Sequence, residues 1–124
     1  CVARSVLEAG SRFGDSRLPE LFCGFERDRR FSQGPCEYLV SCSPQAWATG
    51  SVFHLLQTLA GVEVDALAGK IHIDPLATSL YSRLRVEGMR VGEGLLDFTI
   101  DNRKVGPRVK VDRKPVGMVV HTPA

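Results

Sequence analysis

The sequence predicts an α+β chain in which a helical first half precedes a β-rich second half. The apolar run between Pro44 and Gly61 has the length and the boundary residues of a helix. After Gly61, apolar and polar residues alternate in short runs, which is typical of half-buried strands. We therefore predict two regions, 1–68 and 69–124, which differ in the pattern of apolar residues.

A first helical segment is predicted between Val2 and Phe13, where apolar residues recur at near-helical spacing until Gly14 stops the run. The connection that follows, 14–42, is far longer than the roughly 2–8 residues usual between helices. Its apolar content argues against disorder, so we expect this loop to be ordered and packed. Its apolar residues are Leu21, Phe22, Phe25, Phe31, Tyr38, Leu39 and Val40.

The second helix is predicted to begin with Ser43 as N-cap and Pro44 as the first helical residue, since Pro is tolerated there. Gly61 is its natural C-terminal stop. Apolar residues cover most of the circumference, which predicts burial on most sides. One other helical segment in the chain cannot supply that burial, so the sequence indicates partner helices outside it.

The β half is predicted from alternation and turn residues. A short helical turn is expected at 65–69, and a strand follows at 70–74 before a proline. Alternating runs at 83–91 and 95–101 flank a glycine-rich turn, which predicts an antiparallel hairpin. A weaker β region follows at 109–120.

Composition narrows the class of partner. The 124 residues fit one domain, and the net charge of +2 does not favour nucleic acid or an anionic membrane. No apolar run approaches the ~18 residues of a membrane span, and no signal peptide precedes the first helix. The chain begins with Cys1 rather than Met. We therefore expect it to be the end of a longer protein, located in the cytoplasm.

The four cysteines, Cys1, Cys23, Cys36 and Cys42, show no CxxC spacing and have no histidine near them. This pattern does not predict a zinc site or a secreted disulfide framework. We expect reduced thiols, no metal and no cofactor.

Glu20 is the candidate for acid–base chemistry. It lies between Pro19 and Leu21 in an apolar run, where a carboxylate either finds a partner or has its pKa raised. Both effects suit a general acid or base. The alternative is a structural role, in which Glu20 pairs with Arg17 and ties the loop down.

Gln45 and Trp47 form a candidate sugar-binding pair at the helix entrance. A tryptophan ring packs on the C–H face of a sugar, an amide bonds its hydroxyls, and the helix start offers free N–H donors. The alternative is a core tryptophan beside a capping amide.

Two motifs in order carry a resemblance to a known family. They are R-L-P-E-L-F-C-G-F-E-R, which starts at Arg17, and S-C-S-P-Q-A-W-A-T-G-S, which starts at Ser41. Together they resemble the C-terminal catalytic part of amylo-α-1,6-glucosidases, the glucosidase half of glycogen debranching enzymes, and above all the bacterial members. The resemblance is strong from Arg17 to Gly61 and continues more weakly to Asp97.

This resemblance implies an (α/α)6 toroid of helical hairpins, of which the chain would hold the terminal helices only, followed by a small antiparallel β region. Residues 1–68 would be the C-terminal piece of the catalytic domain, with 14–42 as its active-site loop, and 69–124 a β-rich tail. The second helix would be the last inner helix, and Gln45 and Trp47 would face the sugar pocket.

The resemblance also implies a mechanism. The glutamate of the family's Pro-Glu loop, here Glu20, would be the general base that activates water, and hydrolysis would invert the anomeric centre. Arg17, Gln45 and Trp47 would bind the α-glucoside. The family's general acid is an aspartate on an earlier hairpin, which has no match here.

The sequence thus predicts the C-terminal fragment of an inverting α-glucosidase, acting on glycogen-type or oligosaccharide α-glucosides and inactive without its N-terminal part. The alternative is a module that binds carbohydrate or protein through the Gln45–Trp47 patch, or a remnant without function.

Overall fold

Residues 2–25 and 34–123 are described by a computed structural model. In these residues the chain forms a small α+β protein with two α-helices and six β-strands, divided into two compact units, Cys1–Leu56 and Gln57–Ala124. The predicted terminal part of an (α/α)6 toroid is wrong. The described residues hold only two helices, of 9 and 15 residues, and they carry two three-stranded sheets.

The elements run as helices first and strands afterwards. The helices are α1 (Val2–Gly10) and α2 (Ala46–Ala60), with a short 3-10 turn at Gly14–Ser16 between them. The strands are β1 (Val62–Asp65), β2 (Lys70–Ile73), β3 (Arg83–Val91), β4 (Gly94–Arg103), β5 (Gly106–Arg113) and β6 (Val119–His121).

In the first unit, α1 packs against α2 through small residues. A Cβ atom at Gly10 would lie 3.2 Å from a methyl carbon of Val52, so the glycine permits the close approach of the two helices. The predicted first helix ends at this contact rather than at Phe13. The buried residues around it are Ala9, Leu18, Ala48 and Val52.

The start of α2 differs from the prediction. The helix begins at Ala46, and Ser43 and Pro44 lie before it, joined by a cis peptide bond. The Gln45 backbone N–H donates to the carbonyl of Leu18 at 2.9 Å. The chain before Ala46 is therefore held by the loop, and the prediction of Ser43 as N-cap and Pro44 as the first helical residue is wrong.

Burial of α2 lies mostly on one side. Ala48, Val52 and Leu59 are buried at spacings that place them on one helix face, and Ala60 is buried in the last turn. Trp47 and Phe53 are 65% and 57% exposed. The expected burial on most sides is wrong for this chain, because these large apolar side chains of α2 remain in contact with solvent.

The long loop is paired but only partly packed. An isolated antiparallel bridge joins Phe22 to Glu37, while Leu39 is 98% exposed and Val40 is 85% exposed. The prediction of a packed loop is therefore wrong for these apolar side chains. Phe31 and the rest of 26–33 lie outside the described residues.

Two three-stranded sheets make up most of the second unit. One has the order β1-β2-β6, with β1 antiparallel and β6 parallel to β2; the other is the antiparallel meander β3-β4-β5. The predicted hairpin is confirmed, with β3 over the predicted residues 83–91. A turn is present at 66–69, within the range predicted for a helical turn, but β1, which ends at Asp65, was not predicted because a four-residue strand is too short for its pattern to show.

Alternate residues of the central strands fill one core. Ile71 and Ile73 on β2, and Leu96, Phe98 and Ile100 on β4, are no more than 1% exposed. This period of two is the expected pattern for strands with one buried face. The last turn of α2 adds Ala60 to the same core.

Gly61 joins α2 to β1 in a left-handed conformation, with φ of 62°. Its carbonyl accepts the N–H of Asp74 at 2.9 Å. A Cβ atom built on Gly61 would overlap the carbonyl oxygen of Asp74. Only glycine fits here, for reasons of both conformation and space.

Candidate functional site

The segment that carries Glu20 is anchored by its two preceding residues. Leu18 belongs to the small buried cluster of the first unit, and Pro19 is among the most completely buried side chains of the described residues. Proline also fixes φ and so restricts the backbone just before Glu20. The anchor leaves the Glu20 side chain half-buried at the surface.

Two backbone hydrogen bonds hold this segment against the approach to α2. The Glu20 N–H donates to the carbonyl of Cys42 at 2.9 Å, and the Gln45 N–H donates to the carbonyl of Leu18 at 2.9 Å. The structure therefore brings Glu20 and Gln45 together, although 24 residues separate them in the sequence. We call residues 18–20 and 42–45, joined in this way, the loop clamp.

Among the described residues, the Glu20 carboxylate has a backbone donor beside it and no ion-paired cation. The nearest described donor is the Cys42 N–H, 3.5 Å from Oε2, a long contact. In residues 2–25 and 34–123, no ion pair joins Glu20 to Arg17, which is exposed. The alternative of a carboxylate tied down by Arg17 therefore finds no support in the geometry.

Gln45 and Trp47 lie at the first turn of α2. The side-chain oxygen of Gln45 accepts the Ala46 N–H at 3.0 Å. That bond occupies the oxygen and leaves the amide NH2 group to donate. Trp47 is largely exposed, so the alternative of a core tryptophan does not hold.

Sequence reasoning missed three features of the clamp and its surroundings. The pairing of Cys42 with Glu20 through the backbone has no sequence signal, because any residue supplies the same carbonyl. The cis bond before Pro44 was also not predicted, although proline is the residue at which such bonds occur. Cys23 and Cys36 lie opposite each other on paired segments, which their spacing did not indicate.

A metal centre finds no support in the part of the chain that the structure describes. No group of three or more His, Cys, Asp or Glu side chains there converges on a possible ion position. His72 and His121, which face each other across β2 and β6, stack with ring centroids 4.9 Å apart.

The clamp thus combines a carboxylate without a described cation with backbone and side-chain amide donors, and the first turn of α2 adds the exposed indole ring of Trp47. A carboxylate in this state accepts a proton from water, amides bond hydroxyls, and an indole face packs on the C–H groups of a sugar. Arg17 adds an exposed cation next to Leu18.

The chain matches no protein-family model, no curated protein and no solved structure. Within residues 2–25 and 34–123, neither helix combines the length and the hydropathy needed to cross a membrane.

Proposed function

We propose that this chain carries the general base of an inverting α-glucosidase of the amylo-α-1,6-glucosidase type, and that Glu20 is that base. The observation that carries the proposal is the loop clamp, which fixes Glu20 beside the entrance of α2 by the hydrogen bonds Glu20 N–H to Cys42 and Gln45 N–H to Leu18. The two sequence motifs that resemble the family are the two sides of this clamp.

The chemistry of the clamp supports the role. A general base must be ionised and must have room for a water molecule at its oxygens. Glu20 is half-buried, and its one described donor is the distant Cys42 N–H, so its carboxylate has lone pairs left for water. A tight ion pair with Arg17 would have competed with that water.

Substrate contacts are assigned to the neighbours of Glu20. Trp47 supplies an exposed apolar ring, Gln45 supplies amide donors and Arg17 supplies a charged donor. We assign the general acid to no residue of this chain, and we expect the chain alone to be inactive on α-glucosides whose leaving group must be protonated.

α-Glucosyl fluoride tests the base separately from the acid, because fluoride leaves without being protonated. We expect slow hydrolysis of this compound by the chain, with β-glucose as the first product. Glu20→Gln should lower the rate by about 10²-fold or more, the usual loss for a general base. Glu63→Gln, at an exposed position on β1, is the matched control and should keep the rate within about twofold.

Azide provides the second readout. In Glu20→Ala, whose shortened side chain leaves space for a small anion, azide should restore the rate and give β-glucosyl azide. An unchanged rate in Glu20→Gln, or α-glucose as the first product, would show that Glu20 is not an inverting base.

A binding module is the second candidate, and the exposure of Trp47 and Phe53 on α2 favours it. Aromatic side chains such as tryptophan are enriched at interfaces, where the large ring packs against the partner. Titration with maltooligosaccharides distinguishes the cases for Trp47. Quenching of its fluorescence indicates a sugar site, whereas unchanged fluorescence together with self-association in light scattering indicates a protein-binding surface.

A further inference from the structure

Cys23 and Cys36 face each other on two antiparallel segments of the long loop. The Cys23 N–H donates to the carbonyl of Cys36 at 2.8 Å, and the Tyr38 N–H donates to the carbonyl of Leu21 at 3.1 Å. These two bonds flank a single bridged pair of residues. Cys23 and Cys36 therefore occupy opposite positions next to the bridged pair, joined by one backbone hydrogen bond.

The two thiols also share one acceptor. The Sγ atom of Cys23 lies 3.5 Å from the carbonyl oxygen of Glu37, and the Sγ atom of Cys36 lies 3.6 Å from the same oxygen. Both thiols therefore lie on the same side of the paired segments. Partial burial and a hydrogen bond with the Cys36 thiol raise the pKa of Cys23, which is further evidence that the two sulfurs are neighbours.

Backbone geometry permits a bond between them. Opposite residues in a hydrogen-bonded antiparallel pair have Cα atoms ~5.5 Å apart. Disulfides form across Cα separations of about 4.4–6.8 Å. The Cα separation expected for opposite residues therefore falls within the range that a disulfide spans.

We propose that Cys23 and Cys36 form a reversible oxidation site, a dithiol that a small-molecule disulfide converts into an intramolecular disulfide. This inference stands apart from the glycosidase proposal, because it needs neither Glu20 nor a sugar. Both cysteines are free thiols in the structure, so the reduced state is the one described above.

The reaction is a thiol–disulfide exchange in two steps. The exposed Cys36, as thiolate, attacks the small disulfide RSSR, forms a mixed disulfide and releases RS⁻. Cys23 then loses its proton to solvent and attacks the Cys36 sulfur, which expels the second RS⁻. The protein gives up two electrons and two protons, and one RSSR becomes two RSH.

Cys42 provides a natural comparison. It is an exposed free thiol in the same unit. However, its backbone carbonyl accepts a hydrogen bond from the Glu20 N–H, and that segment places no cysteine opposite it. The same reagent should therefore leave Cys42 as a thiol or a mixed disulfide. Cys1, the fourth cysteine, lies outside the described residues.

The test is an equilibration in mixtures of oxidised and reduced glutathione, followed by alkylation of remaining thiols and peptide mass spectrometry. A Cys1→Ser/Cys42→Ser chain isolates the pair, and a further Cys36→Ser change is the matched control. We expect a Cys23–Cys36 cross-linked peptide from the first chain and only a glutathione adduct from the second.

Equilibration in urea gives the decisive comparison. In urea the two thiols are joined only by a flexible loop, with an effective concentration on the order of millimolar. In native buffer the paired backbones hold them together, so the equilibrium constant for closure should be at least about tenfold larger, a difference of ~1.4 kcal/mol. Equal constants in the two solvents, or cross-links in the wild-type chain that favour Cys1 or Cys42, would overturn the proposal.

Discussion

The two units of this chain differ in how many large apolar side chains they bury. In Gln57–Ala124, the central strands bury Ile71, Leu96 and Ile100 completely. Among the described residues of Cys1–Leu56, the buried cluster consists of four residues, two of them alanines, while Leu39 and Trp47 stay in contact with solvent. The second unit therefore has the larger hydrophobic core, and the first unit has only a small buried cluster.

The two units are therefore expected to have different roles, one in the stability of the fold and the other in the candidate functions. A well-filled core makes large side chains costly to remove, so the second unit should supply most of the free energy of unfolding. The first unit holds the loop clamp and the Cys23–Cys36 pair, and such segments belong to the less stable parts of proteins. Three substitutions test this contrast.

The largest loss should follow Phe98→Ala. Phe98 is 1% exposed in the centre of the second unit, and removing a buried phenylalanine costs about 3–5 kcal/mol. Urea unfolding followed by far-UV circular dichroism measures the loss. Val105→Ala, at a fully exposed position beyond β4, is the control and should stay within ~0.5 kcal/mol of wild type. Equal midpoints for both variants would contradict the core described here.

Leu18→Ala should have the next largest effect, at the low end of the ~2–5 kcal/mol usual for buried leucine. Leu18 is the largest side chain of the first unit's buried cluster, and its backbone carries half of the loop clamp. Trp47, the one tryptophan of the sequence, reports this unit by fluorescence. Leu39→Ala removes an exposed leucine from the same unit, so a shift as large as that of Leu18→Ala would mean that the clamp is not packed.

The smallest effect should follow Asp97→Asn, and it should depend on pH. The Arg113 side chain donates to the Asp97 carboxylate at 2.6 Å, as does the Gly88 N–H, and these bonds lower the pKa of Asp97 below its ordinary 3.8. A lowered folded-state pKa stabilises the fold above the unfolded value, and that stabilisation is lost as pH falls through the folded value.

The wild-type unfolding midpoint should therefore fall more steeply than that of Asp97→Asn as the solution is acidified from about pH 5. Glu93→Gln, at the exposed turn after β3, is the control and should keep the wild-type slope. Parallel slopes for wild type and Asp97→Asn would show that the Arg113 and Gly88 bonds do not form in solution.

The β half was predictable because its signal is local. β3 coincides with the alternating run at 83–91, and Pro75 and Gly92 mark strand ends by their own backbone limits. The short strand β1 escaped because four residues carry too few periods to distinguish a strand from a turn.

For the candidate site, the sequence predicted which residues take part but not how they are held together. Glu20, Gln45 and Trp47 could be named from their neighbours in the sequence, but the bonds that hold them use backbone groups, which every residue has. The toroid prediction failed on a different point, because it came from the resemblance of two short motifs, which do not determine how many helices the chain holds. The prediction that α2 is buried on most sides failed separately, since exposed apolar side chains are common on protein surfaces.

Gly61 has a consequence for how this chain can change over generations. The Asp74 carbonyl occupies the space that any side chain at position 61 would need. Single substitutions of Gly61 should therefore not be tolerated, since even alanine must displace the end of β2 as well as adopt a disfavoured backbone conformation. Exposed positions such as Leu67 are free to vary. The joint between helix and sheet is thus a part of this sequence where substitutions are poorly tolerated.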